Sequence, residues 1–348
     1  MLTALIMAGG RGTRFWPAST DEHPKQFLNL IGERTMIQET VHRLLPMMDI
    51  DHIFICTGAK YKDICLEQLP GLPERNIIVE PMGRNTAPCI LLSALYIKQI
   101  YGDTNVIVLP SDHQINNEPE FLSVLSDADE FVASKKESII TIGIMPDRPE
   151  TGYGYINFMD TVDKVKTHEI KKVNKFVEKP NAEVAQSYLD DGHYLWNAGM
   201  FMFNVDFMAS EYEKYATETY KTLTSLPAID SPDYMNELAE KYATCESISV
   251  DFAIMEKTKN LFVVPADFGW DDIGAWKALE RYLTEDDMKN ILKGNVKTYD
   301  AKNNLVFSKD KEVILFDTDD LFVIETDERI VVGRRESLEK VHELRVKQ

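Results

Sequence analysis

Between residues 2 and 144 short apolar runs alternate with longer amphipathic ones, and that alternation limits the fold more than any other feature. Strand-like runs fall at Leu2–Met7, Ile53–Thr57, Ile77–Glu80, Val106–Pro110 and Ile139–Ile144. Helix-like runs lie between them at Met36–Leu45, Tyr61–Gln68, Thr86–Tyr101 and Glu118–Lys135. Buried strands separated by amphipathic helices predict an α/β fold, with a mostly parallel, Rossmann-like mixed sheet covered by helices on both faces. Ligands of such sheets bind beyond the carboxyl ends of the strands. Four chemically suggestive stretches fall at those ends: Gly9–Arg14, Gly58, Glu80–Asn85 and Ser111–His113.

The first of them is the richest. Leu5–Trp16 reads LIMAGGRGTRFW, with Gly9, Gly10 and Gly12 crowded together and Arg11 and Arg14 among them. Glycines let a backbone approach a ligand closely, and successive amides form an anion-binding concavity. Guanidinium groups add fixed charge and bidentate donors, so the loop suits a polyphosphate. A Walker A loop would end in Gly-Lys-Ser/Thr, which Gly12-Thr13-Arg14 does not. A dinucleotide fingerprint would run straight into a helix, whereas Phe15-Trp16-Pro17 follows here.

Other strand ends carry alternatives. Asp112, after the apolar Val106–Leu109, suits a hard cation beside a triphosphate, or simply caps the next turn. Asn85 or Thr86 suits a helix cap, with Pro88 in the first turn. His113 reads as a structural histidine, because the chemistry described below needs no base.

The string AGGRGTRFWPAS, followed by PKQFL at Pro24–Leu28, resembles the signature of sugar-1-phosphate nucleotidylyltransferases. Its Phe-Trp-Pro variant is similar to their mannose-1-phosphate guanylyltransferase branch. EPMGRNTAP from Glu80, TGYGYI from Thr151, FVEKP from Phe176, WNAGMF from Trp196, SVDFAIMEK from Ser249 and GWDDIG from Gly269 continue the likeness in order. The resemblance implies a nucleotide site of Ala8, Gly9, Gly10, Gly12, Thr13, Arg14, Glu80, Asn85, Thr86, Ala87 and Ser111. It implies a sugar-phosphate site of Gly152, Tyr153, Glu178, Lys179 and Asn197. Arg14, Lys25, Asp112 and Asp272 are the implied catalytic residues, with Asp112 and Asp272 holding Mg²⁺ and Asp271 the substitute if Asp272 is not a ligand. The implied reaction joins GTP and mannose 1-phosphate to give GDP-mannose and pyrophosphate. Rival readings are another sugar phosphate or base, and a non-catalytic regulatory homologue that only binds sugar nucleotide.

Composition sets the partners. A net charge of -19 over 348 residues excludes nucleic acid and anionic membranes as natural partners, since no long basic run offsets it. Within residues 1–35 four basic side chains face three acidic ones, a local exception where the glycines lie. The four cysteines are scattered without C-x-x-C spacing and read as buried free thiols. No leader-like or membrane-spanning run is expected, which predicts a cytoplasmic protein.

A catalytic domain over residues 1–288 and a β-rich domain over 289–348 are expected. Ala182–Leu189, Val205–Tyr215, Tyr234–Tyr242 and the capped Ser249–Lys257 read as helices, and Glu336–Arg345 as a closing helix. Short strands recur after about residue 290 without a strict repeat. The resemblance implies a short left-handed β-helix there, used in assembly, hence a homodimer. It also implies longer relatives with a further isomerase domain, for which this sequence has no room.

Overall fold

The computed structural model describes all residues except Arg11, Glu178 and Gln348, together with the side chains of Val346 and Lys347. Two compact units emerge. The first comprises Met1–Gly9 and Val41–Asp271, and the second comprises Gly10–Thr40 and the chain from Asp272 onward.

The strands of the first unit are β1 (Leu2–Met7), β2 (Ile53–Gly58), β3 (Ile77–Glu80), β4 (Asn105–Pro110), β5 (Gln114–Ile115), β6 (Ile139–Ile144), β7 (Tyr155–Val165), β8 (His168–Val177), β9 (Tyr194–Asn204), β10 (Leu261–Ala266) and β11 (Trp270–Asp271). Nine of them form one sheet in the order β3-β2-β1-β4-β9-β6-β10-β8-β7. The half from β3 to β4 is parallel, as is the β6–β10 pair. β9 enters antiparallel between β4 and β6. Its run from Met200 to Asn204 is buried on both faces, so it has no period-two pattern to betray its neighbours. The fold is the expected mixed α/β sheet, which departs from a parallel series at β9 and again at the β8–β7 end.

The helices α1 (Met36–Leu44), α2 (Lys62–Gln68), α3 (Thr86–Tyr101), α4 (Glu118–Ser134), α5 (Ala182–Asp191), α6 (Val205–Tyr215), α7 (Thr217–Thr224) and α8 (Tyr234–Tyr242) accompany these strands. α3 begins at Asn85, whose side chain accepts the Thr86 N–H at 2.8 Å. It ends at Gly102 with φ +71, where a side chain would be strained. The expected helix over Ser249–Lys257 is instead one π turn, Asp251–Met255, closed by the Glu256 N–H on the Asp251 carbonyl at 2.9 Å.

A buried histidine ties the β7–β8 hairpin to α4. His168 Nδ1 lies 2.8 Å from Asp127 and Nε2 lies 3.0 Å from Glu120. Burial alone would lower the histidine pKa, but the bonds to Glu120 and Asp127 outweigh it and raise the value. Burial would likewise raise Asp127, and the His168 and Thr167 bonds reverse that. A raised histidine contributes stability that is fully present below its unfolded value of about 6.5 and lost as pH climbs through the folded value. We therefore expect the difference in thermal midpoint between wild type and His168→Gln to be largest near pH 6 and to shrink as pH rises. A pH-independent difference would assign His168 a packing role only.

The second unit holds β12 (Ile291–Lys293), β13 (Val296–Tyr299), β14 (Leu305–Phe307), β15 (Val313–Phe316), β16 (Leu321–Glu325), β17 (Ile330–Arg334) and the short α9 (Trp276–Leu279). β12, β14 and β16 stack in parallel, as do β13 and β15, and β17 closes antiparallel on β16. Asn290 and Asn304, 14 residues apart, line the stack: Asn304 donates to Asn290 Oδ1 at 3.0 Å and to the Thr318 carbonyl at 3.0 Å. Glu325 ties off one turn by accepting from the Lys309 and Lys311 amides and the Ser308 hydroxyl. Burial would raise its carboxyl, yet those donors hold it at about 2. The closing segment Arg335–Lys347 winds as a 3₁₀ helix rather than the expected α-helix.

Phe15 and Trp16 join Trp276, Ile273 and Phe322 in this unit's core. The Phe15 and Trp276 rings lie 5.3 Å apart, and the Trp276 indole donates to the Trp16 carbonyl at 3.2 Å. Cutting such aromatics to alanine costs about 3–5 kcal/mol, several times one hydrogen bond, so packing anchors the loop that precedes them.

Candidate active site

Within the second unit, the Gly10–Leu28 loop and the Asp272–Gly274 turn come together. Gly12 adopts a left-handed φ of +55, and a Cβ there would stand 2.5 Å from Lys25 Cβ and 2.6 Å from the Lys25 backbone nitrogen. Only glycine fits that position. Ser19 donates to the Gly12 carbonyl at 2.6 Å and Gln26 to the Gly10 carbonyl at 3.0 Å, which folds the loop on itself. Thr13 opens the 3₁₀ turn Thr13–Phe15 that follows.

Lys25 is buried, and its Nζ donates to the Asp272 main-chain carbonyl at 2.7 Å. Ile273 is fully buried with φ +44, a conformation that β-branched residues rarely adopt. Such strain persists only where surrounding packing over-determines it. At Gly274 a Cβ would lie 3.0 Å from Arg14 Nη1 and 3.2 Å from both carboxylate oxygens of Asp272. Arg14, Lys25 and Asp272 thus meet around two glycines. Asp271, by contrast, is buried at the end of the first unit and pairs through β11 with Gln114.

In the first unit Ala8 continues β1, donating to the Cys56 carbonyl at 2.8 Å and accepting from Thr57 at 2.9 Å. A Cβ on Gly9 would lie 3.2 Å from Glu80 Oε2. Glu80 is buried and accepts from the Tyr242 hydroxyl. Burial raises its pKa, partly offset by that bond. Thr86 accepts the Val250 N–H at 2.8 Å and Ala87 donates to the Ile248 carbonyl at 3.1 Å, so both also serve the fold. Ser111 is buried, its N–H on the Met7 carbonyl at 3.2 Å. Asp112 follows it, partly exposed, just before the short β5–β11 ribbon.

A second cluster forms where β7 begins. The Tyr153 ring stands 5.3 Å from Trp196 and 5.1 Å from Trp270, and Arg148 lies over Trp196. The Trp270 indole donates to His113 Nδ1 at 3.0 Å, so that nitrogen is the acceptor in the ring. Asn197 donates to Asp251 at 3.0 Å, while its oxygen accepts the Gly199 N–H at 2.9 Å. The Gly152 N–H donates to Glu150 at 3.0 Å. Lys179 is exposed with φ +41. The candidates Glu178 and Arg11 lie outside the described residues. Asp251, Trp270 and Gln26 are neighbours to which the sequence assigns no role; each lies in a family-like string, but nothing local marks Asp251 as the partner of Asn197.

The comparisons with known proteins agree with these strings. A family model described as nucleotidyl transferase matches residues 3–288. Mannose-1-phosphate guanylyltransferase of Salmonella muenchen is 35% identical over 98% of this chain and 72% of its own length. That of Salmonella montevideo is 37% identical over 99% of this chain and 73% of its own. A crystal structure described as mannose-1-phosphate geranyltransferase from Thermus thermophilus superposes with TM-score 0.85 at 29% identity, covering 100% of this chain and 99% of that one.

Proposed function

The chain belongs to the nucleotidyl transferase family, and from that premise we infer that it transfers GMP from GTP to α-D-mannose 1-phosphate. GDP-mannose and pyrophosphate are the products. A phosphate oxygen of the sugar phosphate forms a bond to the α-phosphorus of GTP. The bond from that phosphorus to the bridging oxygen breaks, and pyrophosphate leaves with the electron pair. The nucleophile is already anionic, so no general base is needed. In-line positioning and neutralisation of charge supply the catalysis.

The observation that carries this reading is the meeting of Arg14, Lys25 and Asp272 around Gly12 and Gly274. Gly9, Gly10 and Gly12 let backbone amides approach the triphosphate, Arg14 neutralises it, and Lys25 fixes the turn that presents Asp272. Glu80, Asn85, Thr86, Ala87 and Ser111 line the nucleoside side. Asn197, Gly152 and Tyr153 face the sugar, Lys179 steers its phosphate, and Glu178 is assigned to the same sugar on the resemblance alone.

Enzymes of this family generally use a divalent metal. We assign Mg²⁺, with Asp112 and Asp272 as its protein ligands. Carboxylate oxygens suit this hard cation, and glycine at 274 keeps side-chain atoms off both Asp272 oxygens. When bound, the ion neutralises charge on the phosphates. The four cysteines are buried and unbridged, which supports a reducing, cytoplasmic setting. Among the described residues no helix is long and apolar enough to cross a membrane.

The test is pyrophosphate release from four nucleoside triphosphates against a panel of sugar 1-phosphates, with and without EDTA. We expect release with GTP and mannose 1-phosphate, abolished by EDTA and restored by excess Mg²⁺. GTP binding without release under any pairing would leave a regulatory binder instead.

Residues 289–348 are assigned to assembly of a homodimer. Tyr299 and Phe316 are register partners on β13 and β15, and with Ile314 they expose apolar side chains outward. Exposed apolar clusters of this kind mark contact surfaces. Phe316→Lys should lower the sedimenting mass from dimer to monomer, and a wild type that sediments as a monomer at micromolar concentration would remove the assembly role.

A further inference from the structure

Beside Gly9 in the first unit lies a buried group of which the proposed transfer uses only Glu80. Cys56 on β2, Glu80 at the end of β3 and Cys89 in the first turn of α3 each offer one ligand atom, and these atoms lie within 4.8 Å of one another. All three residues are buried. The cluster is composed unlike an ordinary apolar core, where a lone thiol packs as a small hydrophobe. Here two thiols adjoin a buried carboxylate, and that carboxylate accepts a hydrogen bond from the buried Tyr242 hydroxyl.

We propose that Cys56, Glu80 and Cys89 form a binding site for a thiophilic divalent cation of the Zn²⁺ class, with Tyr242 orienting the carboxylate. Two sulfurs and one oxygen suit such an ion, whereas Mg²⁺ takes oxygen ligands alone. Ligand atoms around a tetrahedral zinc stand roughly 3.5–3.8 Å apart, given metal–ligand bonds of about 2.0–2.3 Å. From a spread of 4.8 Å the cluster therefore has to contract by about 1.0–1.3 Å at most. Three protein ligands leave a fourth position for water. The Tyr242 bond to Glu80 is the kind of outer contact that fixes a ligating carboxylate.

The bond from Cys56, burial and the neighbouring charges push the Cys89 thiol up, and burial pushes Glu80 up. Both shifts favour the protonated form of these two ligands, so a dication must displace protons to bind. Binding releases them and weakens as pH falls. The site is read from these side chains alone and stands whether or not Glu80 also lines the nucleoside pocket.

Metal-free, reduced, full-length protein titrated with Co²⁺ tests the site. The expected result is a thiolate-to-metal charge-transfer band in the near ultraviolet that saturates at one equivalent and is bleached by Zn²⁺. Cys56→Ser and Cys89→Ser should each abolish the band, while Cys65→Ser and Cys245→Ser, at the two other buried thiols, should retain it. Tyr242→Phe should weaken Co²⁺ binding by ~10–100-fold. Zn²⁺ should also raise the thermal midpoint of wild type. Absence of the band from wild type at stoichiometric Co²⁺ overturns the proposal without recourse to any variant. So does its persistence in the folded Cys56→Ser, Cys89→Ser double variant.

Discussion

Asp272→Asn is expected to cut turnover by roughly 10³-fold while leaving the fold intact, a loss at or above that of one charge-stabilising group. The separation of effects comes from which atom of Asp272 does what. Its main-chain carbonyl accepts from Lys25 at 2.7 Å, and that bond does not depend on the side chain. Asparagine has the same shape, so it also fits the approach to Gly274, where a Cβ would stand 3.2 Å from both carboxylate oxygens. What asparagine removes is the charge proposed to hold Mg²⁺ next to Arg14. Because the main-chain bond and the side-chain shape are both kept, the thermal midpoint should stay close to that of wild type. Asp271→Asn is the control, because Asp271 is buried and belongs to the β5–β11 pairing. Steady-state pyrophosphate release and thermal melts of both variants decide the matter. Turnover within a few-fold of wild type in Asp272→Asn, with loss in Asp271→Asn, would move the metal to Asp271.

The parts of this protein legible in its sequence are those governed by local rules. The apolar runs ending at Met7, Glu80 and Pro110 appear as β1, β3 and β4, because a buried parallel strand must be short and continuously apolar. The glycine-rich loop was legible because Gly12 needs a conformation that other residues avoid. Long-range choices left no local trace. Nothing around Trp196–Phe203 tells that β9 runs antiparallel between β4 and β6. The role of Phe15 and Trp16 depends on Trp276, 260 residues from Trp16, whose indole donates to the Trp16 carbonyl. The repeat in the β-rich segment was hidden because only two of its turns carry the buried asparagine, Asn290 and Asn304, while the next has Thr318 in that place and the intervening residues vary. Asn290 and Asn304 bond to each other at a spacing of 14 residues, too few repeats for periodicity to show.

Gly12→Ala and Gly10→Ala form a pair that separates what the loop needs to fold from what it needs to bind. A Cβ on Gly12 would meet the Cβ and backbone nitrogen of Lys25 at 2.5 and 2.6 Å, and the residue is at φ +55. Backbone atoms cannot rotate away, so the Lys25 turn must shift, and the bond that holds Asp272 shifts with it. A displacement of about 1 Å in a positioning group costs ~10²-fold in rate. Gly12→Ala should therefore lose at least that much kcat and some thermal stability together. Gly10 is different: nothing lies within 4 Å of the Cβ it would carry, and its φ is not left-handed. Alanine there should leave the melting curve unchanged. If the loop cradles a triphosphate, the added methyl stands where the ligand's phosphates approach the backbone, and the KM for GTP should rise while the fold is untouched. A loop that is only a structural turn predicts an unchanged KM beside the same unchanged stability. Glycine at 10 has no folding reason in this structure, so its effect on GTP is the cleanest measure of whether this loop binds phosphate.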